Sequence, residues 1–279
     1  MSVSRQAHLI DTPADGCLDG NVCVVIGGGS TEPGWAIGQS IAIAYARAGA
    51  RVVVADIKQA AADVTVAQIM EQGGQALAVE VNATDEASVA ALMQAAMTRF
   101  GRIDVLHNNV GIGKSGPSAN TSAQEWQRFA DANLLSLHLS AQSAIPEMKK
   151  SGGGVILCTS SIASLRFVGV PHLAYGVTKA AANHFCRMVA AEYAADGIRA
   201  NAIVVGLVDT PRIRKTMMAT YGQDEDAMIA RRNAQIPLGF MGDAWDVANA
   251  AVFLASGRAR FISGIELVLD GAMSATVRG

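Results

Sequence analysis

The 279-residue chain carries little charge and few aromatic residues, and neither sign of charge prevails. Charged residues make up 16% of the sequence and aromatic residues 5%, and 22 Lys and Arg face 24 Asp and Glu, for a formal net charge of −2. Without a basic excess, nucleic acid and anionic membrane surfaces are not expected partners. Hydrophobic residues reach 51%, which is enough to build a sizeable buried core.

Cysteine is also scarce, and its spacing forms no motif. The four cysteines are Cys17, Cys23, Cys158 and Cys186. There is no Cys-x-x-Cys pair and no histidine cluster at metal-ligand spacing, so we expect no metal site. Cys23 and Cys158 lie inside apolar runs, where a buried, reduced thiol is the usual state in an intracellular protein.

Long uninterrupted apolar runs are absent as well. No stretch reaches the ~18 apolar residues of a membrane-spanning helix, and the first residues lack the apolar segment of an ordinary signal peptide. We therefore predict a cytoplasmic protein that does not contact membranes. Residues 1–18 are expected to form a loosely held extension, and residues 19–279 a single domain.

The sequence does contain a regular alternation of short apolar runs and longer helical patterns. The predicted strands are 22–26, 51–55, 76–81, 103–107, 154–158, 199–204 and 265–269. The predicted helices are 36–48, 58–72, 85–100, 122–149, 174–195 and 243–256. Such alternation is typical of βαβ units. It predicts an α/β fold, with a doubly wound, mostly parallel seven-stranded sheet of the Rossmann type and helices on both faces.

Residues 209–237 interrupt this alternation. The segment mixes charges and methionines and is too long for a plain connection, so we predict a substrate lid. Its Met217, Met218 and Met228 either line an adaptable apolar pocket or pack on the inner face of an amphipathic helix.

A glycine-rich turn, Gly27 to Gly38, follows the first predicted strand and precedes the first predicted helix. Small residues there let the backbone approach a pyrophosphate, and the helix N-terminus supplies N–H donors. The second predicted strand ends at Asp56, 18 residues beyond Gly38. An acidic residue at about that distance hydrogen-bonds the adenosine ribose and repels the 2′-phosphate of NADP. With Glu32 adding negative charge and Lys58 the only nearby cation, the cofactor is predicted to be NAD.

The residues that follow the third predicted strand are expected beside the adenine. Asn82 would hydrogen-bond the edge of the base, with Ala83 next to it. For Asp85, capping the following helix is an equally good role.

Tyr175 and Lys179 stand four residues apart in a predicted helix, so both side chains project from one face. A free tyrosine, with a pKa of about 10, is too weakly acidic to act as a base at neutral pH. A neighbouring ammonium and an oxidised nicotinamide both favour the phenolate. The run Val155–Ser161 is a strand that ends in hydroxyl groups, and ligands bind at the carboxyl ends of strands in open α/β sheets.

Taken in order, these pieces resemble the short-chain dehydrogenase/reductase family over residues 19–275, nearly the whole chain. The matching marks are the glycine-rich turn, Asp56, Asn108–Gly111, Asn133, Ser160–Ser161, Tyr175, Lys179, Asn201–Thr210 and Ser263–Gly271. Each mark is modest alone, and their common order is specific. The resemblance implies a homo-oligomer, most often a tetramer, acting on a small-molecule substrate.

The resemblance also implies a role for each matching residue. Tyr175 would move the hydroxyl proton, with Lys179 favouring its phenolate and holding the nicotinamide ribose. Ser161 would hydrogen-bond the substrate oxygen, and Asn133 would organise a water that links Lys179 to solvent. The implied cofactor-binding residues are Gly27, Gly29, Ser30, Ile37, Gly38, Asp56, Asn82, Ala83, Asn109, Gly111, Tyr175, Lys179, Gly206, Val208 and Thr210.

The chain departs from the family pattern at several places. The glycine turn is about five residues longer than usual, because Thr31–Trp35 is inserted. Asn82 stands where Asp is usual, and Val205 where Pro is frequent. Ser161 lies one residue further from Tyr175 than is commonest, so Ser160 and Ser164 stay open as the working hydroxyl.

Three basic side chains, Lys114, Arg166 and His172, flank the predicted site. They either grip an anionic group of the substrate or remain as solvated surface charge.

Three functions are compatible with these features. The first is an NAD-dependent dehydrogenase that oxidises a secondary alcohol to a ketone. The second is an NADPH-dependent carbonyl or 3-oxoacyl reductase. The third is a non-catalytic dinucleotide sensor, which the intact Ser–Tyr–Lys set argues against because a sensor needs no poised phenolate.

Overall fold

The computed structural model describes residues 16–217 and 224–276. Their strands form one seven-stranded parallel sheet with the order β3-β2-β1-β4-β5-β6-β7. The strands are β1 (Val22–Ile26), β2 (Arg51–Asp56), β3 (Gln75–Glu80), β4 (Val105–Asn108), β5 (Gly154–Ser161), β6 (Ile198–Val205) and β7 (Glu266–Leu269). The predicted doubly wound fold is therefore confirmed, and each strand lies within three residues of its predicted bounds.

Helices cover both faces of this sheet. They are α1 (Ile37–Arg47), α2 (Gln59–Glu71), α3 (Glu86–Phe100), α4 (Ala123–Ala130), α5 (Ser136–Lys150), α6 (Leu173–Glu192), α7 (Pro211–Met217), α8 (Glu225–Asn233) and α9 (Ala244–Ala255). One apolar cluster joins α3, α5 and α6 to one face of the sheet, and a second joins α1, α2 and α9 to the other. Because both faces are covered, β1 is buried at all five positions, which explains its continuous apolar run.

The helix predicted over residues 122–149 contains a break. Residues Asp131–Leu135 form a π-helical turn between α4 and α5, and Asn133 lies within it. A π turn widens the helix by one residue, and such turns are frequent at functional sites.

The segment predicted as a lid contains α7 and α8, and residues 218–223 between them lie outside the described part, Met218 included. Met228 is fully buried, so for this residue packing is the role that the structure supports. Asp85 caps α3, since its carboxylate accepts a hydrogen bond of 2.7 Å from the Ser88 N–H.

Within residues 16–217 and 224–276, none of the helices has the length and apolar character that crossing a membrane requires.

Candidate active site

The candidate site lies at the carboxyl edge of the sheet, where the strand order changes direction. β1 pairs with β2 on one side and with β4 on the other, so the connections that leave β1 and β4 diverge to opposite faces. Open α/β sheets bind ligands in the crevice that this divergence creates.

The glycine turn after β1 leaves no room for a side chain at Gly29 or Gly38. A Cβ added to Gly38 would stand 1.9 Å from the Gly27 carbonyl oxygen, and one added to Gly29 would stand 2.6 Å from the Ala61 backbone. Gly27 has φ +75°, which favours glycine. The Asn109 amide, at the end of β4, donates a 3.0 Å hydrogen bond to the Gly27 carbonyl and fixes this turn against its neighbouring strand. The result is a close-packed backbone cradle of the kind that approaches a pyrophosphate.

The inserted residues 31–35 contact α7, which belongs to the segment predicted as a lid. Glu32 forms a 3.0 Å ion pair with Lys215 of α7, and a Cβ on Gly34 would lie 3.2 Å from the ring of Pro211. Glu32 was expected to repel a phosphate, but its carboxylate is paired with a lysine, so that part of the charge argument is weakened.

Trp35, at the end of the insertion, packs edge-on against Trp245 of α9 with ring centroids 5.1 Å apart. The lengthened loop is therefore anchored to α7 through Glu32 and Gly34, and to α9 through Trp35.

Asp56 ends β2 beside this cradle. One carboxylate oxygen accepts a 3.1 Å hydrogen bond from the Gly29 N–H, and the other accepts one of 3.2 Å from the Lys58 N–H. The half-buried carboxylate thus borders the glycine turn, which is where an acidic residue that hydrogen-bonds the adenosine ribose is expected.

Asn82 is engaged in a local turn. Its side-chain oxygen accepts hydrogen bonds from the Thr84 N–H at 3.1 Å and the Thr84 hydroxyl at 2.8 Å. Only its NH₂ group remains to recognise a base, and buried Ala83 follows it at the end of the third strand.

Lys179 is almost completely buried, with 2% of its surface exposed. Its Nζ donates to the carbonyl oxygens of Thr159 at 2.8 Å and Val110 at 3.0 Å. A Cβ on Gly111 would lie 3.0 Å from this Nζ, so glycine at 111 is what lets the loop after β4 pass the lysine. Two backbone carbonyls thereby hold the ammonium at the end of β4 and β5.

Tyr175 occupies the first turn of α6 and is half-buried. The backbone at Gly113 runs along its ring, because a Cβ there would stand 2.9 Å from the tyrosine Cδ2. The loop after β4 therefore contacts both members of the Tyr-x-x-x-Lys pair.

Asn133 links three elements from the π turn. Its side-chain oxygen accepts from the Ile112 N–H at 2.8 Å, and its NH₂ group donates to the Ile112 carbonyl and the Thr178 hydroxyl, both at 2.9 Å. The oxygen retains one acceptor position for a water, in keeping with the role expected of this residue.

The three candidate serines have different surroundings. Ser160 is buried and directs its hydroxyl to the Lys179 carbonyl at 3.4 Å, and Ser164 accepts a 2.9 Å hydrogen bond from Asn183. Ser161 is half-buried and its oxygen only accepts from the Ala163 N–H, at 3.3 Å, so its O–H remains available to donate. This environment favours Ser161 over Ser160, whereas Ser164, whose oxygen likewise only accepts, is not separated from Ser161 by its hydrogen bonds.

The comparisons with known proteins agree with one another. A family model described as enoyl-(acyl carrier protein) reductase matches residues 34–274. The 2,5-dichloro-2,5-cyclohexadiene-1,4-diol dehydrogenase of Sphingobium indicum is 35% identical over 260 residues, 93% of this chain and 98% of the relative. The 7alpha-hydroxysteroid dehydrogenase of Escherichia coli is 35% identical over 254 residues, 91% of this chain and 94% of the relative.

A crystal structure from Burkholderia xenovorans, assigned to the short-chain dehydrogenases/reductases, shares the fold with a TM-score of 0.90 and 38% identity. The match covers 94% of this chain and all of that one. The chain belongs to the short-chain dehydrogenase/reductase family.

As a short-chain dehydrogenase/reductase, the protein is an oxidoreductase of a family that uses a nicotinamide cofactor, as the sequence predicted. The nicotinamide half of the predicted cofactor site follows β6. Gly206 lies so close to β7 that a Cβ would stand 2.6 Å from that of Asp270. Val208 forms a bridge with Gly242, and buried Thr210 precedes α7. These three residues therefore join β6 to the lid.

Two of the three basic residues that flank the site, Lys114 and Arg166, already have partners within this dehydrogenase/reductase. Lys114 forms a 2.8 Å ion pair with Glu125. The Arg166 guanidinium donates to the backbone carbonyls of Met273, Ser274 and Thr276 at 3.0–3.3 Å. Arg166 thus holds the segment after β7 against the loop that follows Ser161. Neither Lys114 nor Arg166 could bind an anion of the substrate without breaking these contacts.

Sequence reasoning missed His107, which is fully buried in β4. Its Nδ1 lies 2.9 Å from the Tyr45 hydroxyl and its Nε2 lies 3.0 Å from the Thr159 hydroxyl. Burial lowers the pKa of His107 to about 3, so the ring is neutral at ordinary pH. The only signal in the sequence was a histidine inside an apolar strand.

Proposed function

We propose that the protein oxidises a neutral, largely apolar secondary alcohol, carried on a ring, to the ketone with NAD. The observation that carries the proposal is that the loop after β4 contacts both Tyr175 and Lys179, while Lys179 also donates to the Thr159 carbonyl, two residues before Ser161. A dinucleotide in the glycine cradle would be held by residues at the carboxyl ends of the strands, the edge of the sheet at which these side chains lie.

The residues present fit a dinucleotide, because the turn packs closely at Gly29 and Gly38, where no Cβ could be placed, and a tight glycine turn before a helix is what a pyrophosphate needs. The residues proposed to hold it are Gly27, Gly29, Ser30, Ile37, Gly38, Asp56, Asn82, Ala83, Asn109, Gly111, Tyr175, Lys179, Gly206, Val208 and Thr210. When bound, the nicotinamide supplies the hydride acceptor.

The protein groups then manage the proton. Ser161 donates its O–H to the substrate oxygen and orients it, and Tyr175 as phenolate accepts the hydroxyl proton while the carbonyl forms. Lys179, held by two carbonyls, places a positive charge near the phenolate. Asn133 keeps the loop after β4 and the helix α6 in register and holds a water for proton exit.

Asp56 supports NAD over NADP. Its carboxylate borders the cradle at the end of β2, where it accepts hydrogen bonds from the ribose hydroxyls and repels a 2′-phosphate. Glu32 contributes less than its sequence position suggested, since Lys215 pairs with it.

The surroundings of the site support an apolar substrate. The stretch between Ser161 and Tyr175 exposes large apolar side chains, namely Leu165, Phe167, Val170 and Leu173. Leu238, also exposed, donates its N–H to the Gly271 carbonyl just before the segment that Arg166 holds. Both relatives described above act, by name, on alcohols carried by rings.

An NADPH-dependent reductase remains the second candidate. The family model carries the description of a reductase, which favours it, and Asp56 argues against it.

The first experiment titrates NAD and NADP separately into the purified protein and follows tryptophan emission. Trp35 stands at the end of the glycine turn, so its fluorescence reports occupation of the cradle. We expect NAD to bind at least tenfold more tightly, and Asp56→Ser to reduce this preference. Tighter binding of NADP would refute the role of Asp56 and place the reductase first.

The second experiment screens ring alcohols with the preferred cofactor and compares Tyr175→Phe with the wild type. Loss of turnover with at most a small loss of cofactor affinity is expected, since the phenol moves the proton and is only one of many residues proposed to hold the cofactor. Turnover retained by Tyr175→Phe would overturn the proposed mechanism.

A further inference from the structure

Two loops border Tyr175, and one side-chain hydrogen bond connects them. The loop after β4 contributes Ser115 and the loop before α6 contributes His172, with Ser115 Oγ 3.1 Å from His172 Nε2. A backbone bond of 3.0 Å from the Gly116 N–H to the Pro171 carbonyl runs beside it. The two loops are thus fastened at one point, and the Ser115–His172 pair marks it.

This pair lies next to the proposed catalytic phenol. The His172 and Tyr175 rings have centroids 6.2 Å apart, and the backbone at Gly113, two residues before Ser115, lines the Tyr175 ring. Ser115 is exposed and His172 is half-exposed, so a bound substrate can reach both.

The neighbourhood of the pair is otherwise apolar or already satisfied. Leu165, Phe167 and Leu173 expose carbon surface on the same loop, while the charge of Lys114 is taken by Glu125. A polar substrate group that reaches the Tyr175 side of these loops can therefore find a hydrogen-bond partner at Ser115 and His172.

The second contact of His172 indicates which nitrogen of the neutral ring carries the proton. Nδ1 lies 3.1 Å from the Val170 carbonyl, which can only accept, so Nδ1 carries the proton. In the neutral ring Nε2 is then an acceptor, and the Ser115 hydroxyl donates to it. The Ser115 oxygen is left with acceptor capacity alone, which suits a hydroxyl donor and does not suit a carbonyl or a carboxylate.

We propose that the Ser115–His172 pair binds a second hydroxyl group of the substrate, and that the enzyme is selective for diols. This inference deepens the proposed function, on which it rests. The first hydroxyl is oxidised at Tyr175 and the second donates its hydrogen bond to Ser115 Oγ, so the pair is a specificity-determining subsite.

The test compares cyclohexanol with the 1,2-, 1,3- and 1,4-cyclohexanediols, first as substrates and then as ligands. Affinity is measured by calorimetry on the Tyr175→Phe protein with cofactor bound. We expect at least one diol to exceed cyclohexanol about tenfold in kcat/KM and in affinity, the range of a single hydrogen bond. Ser115→Ala should abolish that advantage and leave cyclohexanol within twofold.

Ser118→Ala is the matched control, because Ser118 is an exposed serine of the same loop. His172→Phe is the second informative variant. It keeps a ring beside Tyr175 but frees the Ser115 hydroxyl to donate, so a hydroxycyclohexanone should gain relative to the corresponding diol.

The outcomes separate this inference from the proposed function. Turnover of ring alcohols without a diol preference that depends on Ser115 would overturn the subsite and leave the oxidation standing. Diol-selective binding that Ser115→Ala abolishes, without turnover of any alcohol, would support the subsite and refute the oxidation. If no ring alcohol is turned over and no diol binds in a way that depends on Ser115, both the oxidation and the subsite are refuted.

Discussion

At the scale of single residues, the least expected group is a neutral histidine beneath the site. His107 connects the hydroxyls of Tyr45 and Thr159, and the carbonyl of the same Thr159 holds Lys179. All of these side chains are buried, so each hydrogen bond is worth more than on the surface, and each unpaired partner costs more. Through Thr159, His107 steadies the end of β5 where the proposed catalytic lysine is held.

His107 makes the fold sensitive to acid. Its pKa is about 3 in the folded protein and about 6.5 when unfolded, so between these values the unfolded chain binds the proton more readily. The stabilisation is complete above pH 6.5 and is lost as the pH falls toward 3, by about 2 kcal/mol at pH 5.

Urea unfolding at pH 7 and pH 5 checks this prediction with two variants. His107→Gln should be destabilised at pH 7 but should lose about 2 kcal/mol less than the wild type on acidification. His184→Gln, at an exposed position of α6, serves as the control and should follow the wild type. An unchanged pH dependence in His107→Gln would contradict the assignment.

Gly38 allows a sharp steric prediction. A Cβ there would stand 1.9 Å from the Gly27 carbonyl and 2.6 Å from the Asn109 amide, so Gly38→Ala must displace the cradle. We expect the free energy of unfolding to fall by at least about 2 kcal/mol. We also expect cofactor binding to be lost. Gly257→Ala meets no atom within 4 Å and should be close to neutral in both assays.

Residue types and spacing, read together with the family resemblance, pointed to Asp56, Tyr175 and Lys179, because each stands at a recognisable distance from a glycine or a strand end. They could not single out His107. Its function depends on Tyr45 and Thr159, which are 62 and 52 residues away and meet it only across the sheet and a helix.

At the scale of elements, the insertion in the glycine turn and the helix α7 form one assembly. The Glu32–Lys215 ion pair joins them, Gly34 contacts Pro211, and Arg212 donates a 2.8 Å hydrogen bond to the Gly111 carbonyl on the far side of the cleft. α7 therefore spans from the cradle to the loop that touches Lys179.

This bridge should affect the cofactor more than the fold. Both members of the Glu32–Lys215 pair are at least half exposed, so Lys215→Ala should change the free energy of unfolding by no more than about 1 kcal/mol. We expect the cofactor to dissociate several-fold faster, because α7 is held less firmly over the cradle. Stopped-flow fluorescence measures the rate.

Lys150→Ala is the matched control, since Lys150 forms a comparable exposed pair with Glu147 far from the cradle. Equal dissociation rates for the wild type and Lys215→Ala would show that α7 does not retain the cofactor.

Hydrophobic periodicity located the strands well because a parallel strand buried on both faces has a continuous apolar run. Residues 209–237, predicted as a lid, stood out only because they broke the pattern. The contact of Trp35 with Trp245, or of Gly34 with Pro211, has no counterpart in spacing, since the partners come from distant parts of the chain.

At the scale of the whole molecule, the sheet has an open edge at β7. Phe261, just before this strand, has 96% of its surface exposed, and Phe253 of α9 is exposed nearby in sequence. Large apolar residues at a sheet edge are typical of subunit contacts. The alternation of elements in the sequence predicted the class of fold. Whether this edge forms a subunit contact depends on which side chains stay exposed after folding, and spacing in the sequence does not show that.

We expect a homotetramer, with a mass in light scattering four times that of the 28.9 kDa chain. Phe261→Asp should lower this mass, because a charge at the centre of an apolar contact is unfavourable. Met70→Asp, at an exposed apolar position of α2 near the opposite end of the sheet, should leave it unchanged. A wild-type monomer at micromolar concentration would contradict the expectation.

The grip of Arg166 on residues 273–276 has a practical consequence for handling the protein. It brings the end of the described chain beside the loop that lies between Ser161 and Tyr175, whereas residue 16 lies near the amino end of β1, on the other rim of the sheet. An affinity tag, fluorophore or immobilisation anchor joined after residue 276 would begin next to the proposed substrate entrance and compete with it. Fusions made before residue 16 would leave that entrance clear.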